Sequence, residues 1–325
     1  MPNPDPTAAL RWFGLGRPVE PPAAVAEAWS NEVFRVRTDR GRFAVKLCPT
    51  PLDPGRRRVL EAAIAFEQRA LAAGIAAPAP VPDRHGRLLA ELPGEAGPRV
   101  ARCHRWVSGT PASRAEPTAA VAAAAGEVLG RLHALGVPGG DTRDLPGPDL
   151  DRWDRATVRS AAADLPWAAT MAAIRPLLTE LADRIRELRE RRRPMRISHR
   201  DFDPKNAVLD PTGRLVLTDW DYAGPVLPGV ELVTAAASFA RTDDQLAEFA
   251  AAYRAAGGDA EPAGASELAV EPADLDWILR NVEAVLRDGL GPGSVAFETA
   301  AELIDGFADE PAELVRWADR LRGAS

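Results

Sequence analysis

A handful of side chains in this sequence have the types and spacing needed to handle phosphate and a hard cation. Between Arg196 and Asp221, Asp201 sits in a loop and Asn206 opens a short apolar run, Ala207–Leu209. Asp210-Pro211-Thr212-Gly213 is a turn, and Asp219 stands where the returning run Arg214–Thr218 stops. Paired as an antiparallel hairpin, the two runs bring Asn206 beside Asp219, with Asp201 at the same edge. Three oxygen-bearing side chains converge there with no use in a core. Such hard donors suit Mg²⁺, which binds through a carboxylate or two together with substrate phosphates. The remaining candidate is Lys46. Of the 40 basic residues 38 are arginine, and the only lysines are Lys46 and Lys205. Lysine is a compact charge that arginine does not replace at a phosphate, so a chain that nearly excludes it keeps it for a reason.

Taken singly, each residue also has a plain structural explanation. Aspartate and asparagine commonly cap loops and turns, and a lone lysine at a strand end usually faces solvent. Asp221 fits a second metal contact or a helix cap equally well, and Asp203 fits a solvated loop position. Lys205 either touches phosphate or faces solvent beside Asn206. His199 reads better as a brace of its loop than as a base. His85, His104 and His133 are too scattered for a metal site, and Cys48 and Cys103 read as buried thiols.

The elements that must position these groups follow from periodicity. Segment 1–24 is proline-rich and reads as an irregular N-terminal arm. Val33–Arg37 and Arg42–Leu47 alternate apolar and polar residues around the turn Thr38–Gly41, a hairpin. Arg56 to Gly74 has helical spacing and ends on glycine. Val81 to Leu89 reads as a turn-linked pair of strands, and Arg99 to Val107 as a further strand before the breaker Ser108–Pro111. Beyond it, helices are predicted at 119–135, 170–192, 231–240, 243–256, 272–287, 295–306 and 311–322, interrupted by the β island at 196–218. The reading is α+β: residues 25–107 a small antiparallel β-sheet lobe with one main helix, and 108–325 a larger, mostly helical lobe, with a boundary near Trp106–Gly109. At 325 residues, two lobes are expected.

Composition narrows the function. The apolar share of 46% excludes wholesale disorder. No run approaches a membrane span, and the start carries no secretory pattern. Two cysteines build neither a disulfide framework nor a four-cysteine zinc site. A cytoplasmic protein with no membrane or nucleic-acid partner is expected, because the net charge is −7 and non-specific nucleic-acid binding needs a basic stripe. The charge is uneven. Residues 1–200 carry 31 basic and 23 acidic side chains, and residues 201–325 carry 9 and 24. The acidic part, with Asp243, Asp244, Asp274, Asp276, Glu283 and Asp288, would attract a cationic small molecule.

His199-Arg200-Asp201 followed by Asn206 matches the catalytic-loop signature H-R-D-x-x-x-x-N of protein kinases. With Asp219-Trp220-Asp221 and the helical lobe, the chain more closely resembles the aminoglycoside phosphotransferase/choline kinase branch of the protein-kinase-like fold. The likeness spans about residues 25–290. Phe43-Ala44-Val45-Lys46 stands where kinases have V-A-I-K, and Glu67 resembles the helix glutamate that pairs with that lysine. Glu61 is the rival for that place. Leu132-His133-Ala134-Leu135 looks like the family's L-H-x-L. The chain departs in three places. Ala28–Glu32 replaces a glycine-rich loop, Arg200 replaces the usual glycine, and Glu231 stands where an aspartate commonly follows.

The resemblance implies an ATP- or GTP-dependent, Mg²⁺-dependent enzyme that phosphorylates a small-molecule hydroxyl, as a monomer or homodimer. Asp201 would be the base or orienting group, and Asn206 and Asp219 would hold the metal. Lys46, steered by Glu67, would neutralise phosphate, backbone amides near Ser30 and Asn31 would cover it, and Trp106 and Val107 would line the adenine site. An aminoglycoside-like cationic acceptor leads, which would make the chain an antibiotic-resistance factor. Choline, amino-alcohol or sugar kinases and a catalytically weak pseudokinase are the alternatives. A metal-dependent hydrolase would leave Lys46 and Glu67 without a use.

Overall fold

The computed structural model describes residues 6–25, 32–48, 52–93, 98–268, 272–307 and 310–324. A five-stranded antiparallel sheet contains β1 (Ala23–Ala24), β2 (Glu32–Thr38), β3 (Gly41–Leu47), β4 (Ala90–Leu92) and β5 (Arg99–Arg105) in the order β1-β2-β3-β5-β4. Alternation sets its two faces. Phe43, Val45 and Leu47 point into a core with Phe34, Val36 and Cys103, while Ala44 and Lys46 point the other way. The proline-rich start is not an irregular arm throughout: α1 (Thr7–Trp12) forms there, and Ala9, Leu10, Phe13 and Leu15 close that same core. The expected strand pair over 81–89 is instead a turn tied by Asp83, and β4 begins only at Ala90. Val81 still donates to the Cys103 carbonyl of β5 at 2.8 Å, but Pro82 and the carboxylate-bound turn stop the pairing there.

Helix α2 (Pro54–Ala72) follows β3. Asp53 caps it by accepting from the amides of Gly55 and Arg56 at 2.8 and 3.0 Å, and Pro54 occupies the first turn, where its missing N–H costs nothing. Its inner face buries Leu60, Ala63, Ile64, Phe66 and Ala70, and also Glu67. A carboxylate at such a place needs partners.

Beyond β5 come β6 (Thr110–Pro111), α3 (Ala119–Ala134), β7 (Pro138–Asp141), α4 (Leu150–Ala162), α5 (Ala168–Arg191) and β8 (Pro194–Ser198). Then follow β9 (Ala207–Leu209), β10 (Leu215–Leu217), β11 (Gly224–Val226), α6 (Pro228–Phe239), α7 (Asp243–Ala255), α8 (Ala265–Leu268), α9 (Pro272–Asp288), α10 (Val295–Gly306) and α11 (Glu310–Gly323). The predicted hairpin is present, with Ala207 opposite Leu217, and β6 joins its outer edge. Strands β11, β8 and β7 form a third small sheet that leads into the loop bearing Asp201. Helix α4 was not foreseen, although its apolar and charged residues separate onto two faces and Trp153, Ala156 and Ser160 are buried on one of them.

The largest core joins α2 to the hairpin and the helices, through Phe66, Leu129, Ala207, Leu217, Trp220, Val233 and Phe249. Trp153, Met171, Ile278 and Phe297 centre a second core between α4, α5, α9 and α10. Where α3 meets α7 the backbones nearly touch. A Cβ at Gly126 would fall 2.1 Å from the Phe249 carbonyl oxygen, and one at Gly130 2.3 Å from that of Tyr253. Gly126→Ala therefore forces the helices apart, and a loss of about 1–3 kcal/mol is expected from overpacking. Denaturant titration with an unchanged slope would show it. Among the described residues, no helix is long and apolar enough to cross a membrane.

Candidate active site

Strand β3 delivers Lys46 to the face opposite its core. Lys46 Nζ lies 2.5 Å from Asp219 Oδ1 and 2.7 Å from Asp221 Oδ2. Burial alone would lower the pKa of this ammonium, but the charges of Asp221 and Asp219 outweigh it and raise the pKa well above the ordinary lysine value. Lysine 46 is cationic at any working pH.

The loop after β8 is held at both ends. His199 Nε2 donates to the Thr218 carbonyl at 2.8 Å. Arg200 is left-handed (φ 67°), and its amide donates to Glu231 Oε1 at 2.7 Å. Glu231 Oε2 accepts from His133 Nε2 at 2.8 Å, and in that tautomer His133 Nδ1 accepts from the Tyr253 hydroxyl, also at 2.8 Å. Glu231, whose role the sequence left open, is thus a buried anchor for the peptide just before Asp201. His133 and Tyr253 lock it from the far side.

Asn206 lies where hairpin geometry puts it. Its carbonyl accepts from the amide and hydroxyl of Thr218 at 2.7 and 2.9 Å, which sets it beside Asp219. Its side-chain Nδ2 donates to the Asp201 carbonyl at 3.0 Å, so its Oδ1 is turned away and accepts no hydrogen bond among the described residues. Asp203 caps the turn Pro204–Asn206 by accepting from the Lys205 amide at 2.8 Å, which gives it a structural use. Lys205 Nζ is 3.1 Å from Asp201 Oδ1. Asp219 is left-handed (φ 57°, ψ 58°), so the chain turns sharply at the end of the hairpin and carries Asp221 back toward Lys46. Strain of this kind in a non-glycine residue often marks a functional site.

Glu67 is not where the expected pairing requires it. It contacts Arg102, and its Oε1 accepts from His104 Nε2 at 3.0 Å; Lys46 is held instead by Asp219 and Asp221. Arg102 also contacts Asp221. It is 3% exposed and lies directly across the β3–β5 ladder from Lys46. Sequence reasoning missed it, although Arg102 between Ala101 and Cys103 on a buried strand was a visible signal. Ser30 and Asn31 lie outside the described residues.

Trp106 and Val107 follow directly on β5, the strand between β3 and β4. Trp106's amide donates to the Arg42 carbonyl at 3.0 Å, while the Val107 amide has no partner among the described residues. Both line a crevice of about 470 Å³ with Ala79, Arg105, Asp210 and Arg214. That crevice abuts the turn end of the hairpin, whereas Asn206 and Asp219 lie at its other end. It is therefore not the space in front of Lys46.

The acidic helices are largely self-neutralised. Arg152 donates to both oxygens of Glu283 at 2.7 and 2.8 Å and to Asp276 at 2.7 Å. Asp243 pairs with Arg320, and Asp288 with Arg287. The side chain of Asp274 lies outside the described ones.

Three buried carboxylates stay ionised well below the usual range. Burial opposes this in each, and is outweighed at Glu67 by the hydrogen bond from His104 and the charge of Arg102. It is outweighed at Asp221 by Lys46 and Arg102, and at Glu231 by His133. Their folded-state pKa values lie below the unfolded ones, so their stabilisation is present at neutral pH. It is lost as pH falls from the ordinary carboxylate range, near ~4, through those depressed values. Thermal unfolding is expected to give midpoints that drop steeply below about pH 5. Glu231→Gln is expected to flatten that slope.

A sequence search against curated proteins returns no match. Among solved structures, a spectinomycin phosphotransferase in complex with ADP and spectinomycin is similar over 99% of this chain and 100% of its own, at 13% identity and a TM-score of 0.62. An amicoumacin kinase in complex with AMP-PNP, Ca²⁺ and Ami matches over 98% of this chain and 92% of its own, at 14% identity and TM-score 0.60. A choline/ethanolamine kinase family protein from Mesorhizobium loti matches over 98% and 99%, at 19% identity and TM-score 0.58. These likenesses establish the protein-kinase-like fold. The model of the phosphotransferase enzyme family known as APH matches residues 23–268, and with the lysine, loop and hairpin arranged as described, this chain belongs to that family.

Proposed function

We propose that this phosphotransferase moves the γ-phosphoryl group of ATP or GTP, with Mg²⁺, to a hydroxyl of a small, cationic molecule of the aminoglycoside-like or amino-alcohol kind. One observation carries the reading. Lys46 pairs with Asp219 from 173 residues away, the neighbouring Thr218 ties that strand end to the Asn206 carbonyl, and the Asn206 amide holds the Asp201 carbonyl, so the four residues meet at one place. Nothing in a core or cap requires that meeting.

The donor set fits a magnesium ion. Asn206 Oδ1 and the half-exposed Asp219 are two hard oxygens on one edge. Among the described residues no group of three or more His, Cys, Asp or Glu could hold a metal by itself. Mg²⁺ takes few protein ligands and completes its shell with phosphate and water. When bound, it would neutralise phosphate oxygens. Lys46 would leave its carboxylates for phosphate oxygen. Asp201, anchored through Asn206 and Glu231, would orient the acceptor hydroxyl and take up its proton. In a loose phosphoryl-transfer transition state such positioning outweighs proton abstraction.

Residues 25–107 are read as the nucleotide lobe, with Trp106 and Val107 against adenine and the amides near Ser30 and Asn31 over the phosphates. Residues 108–325 are read as the lobe holding the catalytic loop, 196–221, and the acceptor. The Val107 amide, without a partner among the described residues, supports the adenine assignment, whereas the crevice beside it, which lies away from Lys46, does not. The uneven charge supports a cationic acceptor, whereas Asp276 and Glu283, taken up by Arg152, do not. Fold does not choose between antibiotic, choline and sugar kinases. The active form is read as a monomer or homodimer in the cytoplasm, which supplies the nucleotide. The test is ADP release from MgATP across a panel of hydroxylated amines, with Asp201→Asn as control. Thermal stabilisation by MgATP with no turnover on any acceptor would instead favour a non-catalytic nucleotide-binding module.

A further inference from the structure

We propose that Arg102 positions Asp221, and through it Lys46, for nucleotide binding, so that the helix glutamate acts on the lysine through an arginine bridge. This rests on the nucleotide-binding reading of the site. The register of β3 against β5 sets Lys46 and Arg102 opposite each other on one face. Two cations side by side in a sheet repel. They are tolerated because Asp221 lies between them, in contact with both.

Arg102 uses its two terminal nitrogens for two different carboxylates, Nη1 for Asp221 and Nη2 for Glu67. Glu67 is fully buried and held at its other oxygen by His104. The chain of contacts therefore runs Lys46, Asp221, Arg102, Glu67, His104, and it fastens α2 to the turn after the hairpin. A planar fork holds two carboxylates in fixed directions and further apart than the compact point charge of an ammonium can.

The charge count shows what the bridge allows. Lys46 and Arg102 balance Asp221 and Glu67, which leaves the charge of Asp219 for a cation. Once Lys46 turns to phosphate, Arg102 still neutralises both buried carboxylates. Without Arg102, Lys46 would be the sole close counter-ion of Asp221, and its release would strand a buried charge, which is costly. Arg102 thus sets how freely Lys46 exchanges partners.

The test compares wild type, Arg102→Lys and the double variant Arg102→Met/Glu67→Gln, by equilibrium MgATP binding, steady-state kinetics and thermal unfolding. Arg102→Lys keeps the charge and loses the span. It is expected to weaken MgATP binding by about 10–100-fold, as loss of a supporting group behind a ligand does, with the KM for acceptor unchanged. The double variant removes the stranded glutamate, so its thermal midpoint is expected near wild type while MgATP binding stays weak. A purely structural arginine predicts the opposite, with binding recovering alongside stability, and that result would overturn the proposal. Wild-type binding by Arg102→Lys would overturn it too. A readout without nucleotide is available because wild type and the double variant each have two lysines: ¹³C-methylated Lys46 is expected to shift toward the exposed Lys205 resonance in Arg102→Met/Glu67→Gln, and an unmoved resonance counts against the bridge. If wild type itself binds no MgATP, the nucleotide reading of the site fails, and the lysine resonance still reports on the bridge.

Discussion

Asp201→Ala is expected to lower kcat by about 10²–10⁴-fold, the usual range for a positioned acid–base group, while MgATP binding and the thermal midpoint stay near wild type. The geometry predicts this separation. The side chain of Asp201 is partly exposed and, among the described residues, pairs only with Lys205 across a surface, whereas the loop is held by other atoms: the Asp201 carbonyl on Asn206, the Arg200 amide on Glu231 and the His199 ring on Thr218. Removing the carboxylate leaves those bonds in place. A fall in nucleotide affinity equal to the fall in kcat would show that Asp201 supports the loop rather than the acceptor. Glu231→Ala makes the contrast, since it cuts the Arg200 and His133 bonds together and should cost stability as well as rate.

Lys46→Arg is expected to reduce kcat/KM for MgATP by about 10²–10³-fold, the effect of losing one preorganised charge donor, with the fold retained. The background makes the test sharp. In a chain with 38 arginines and two lysines, arginine is the substitution that composition alone would call silent. At this position it keeps the charge between Asp219 and Asp221 but replaces a compact ammonium on a flexible stem by a wider planar fork. Titration of MgATP by calorimetry and initial rates at saturating acceptor would read the two effects separately. Lys46→Met would add a stability loss below the ~3–5 kcal/mol typical of a broken buried pair, because Arg102 still neutralises Asp221. Activity retained in Lys46→Arg would remove the lysine from the phosphate site.

Much of this site could be read from the chain alone where the controlling contacts are short in sequence. The hairpin at 207–217 follows from alternation and a four-residue turn, and its register leaves no other place for Asn206 than beside the strand that ends at Asp219. Lys46 was marked by composition and by the alternation of β3. Helices α2, α3, α5 and α7 were visible because their buried faces are continuous apolar stripes. Helix α4 was missed because the stretch is so rich in charge overall, although its few apolar residues share one face, and α1 was hidden by the prolines around it.

Ion-pair partners were another matter. The contacts that define the site join residues 35, 98, 119 and 173 positions apart. No periodicity reports on such distances. Glu67 had the right type and the right helix to meet Lys46, yet β5 docks between them and offers Arg102. Sequence by itself determined which groups carry charge, which face of each element they occupy, and that a carboxamide and a carboxylate end one hairpin. Only the packing of α2 onto the sheet and onto the turn at Trp220 decided which charge meets which. Secondary structure is set by neighbours along the chain, whereas a buried ion pair is set by whichever opposite charge the docked elements bring within about 4 Å, where a low-dielectric interior makes that choice decisive.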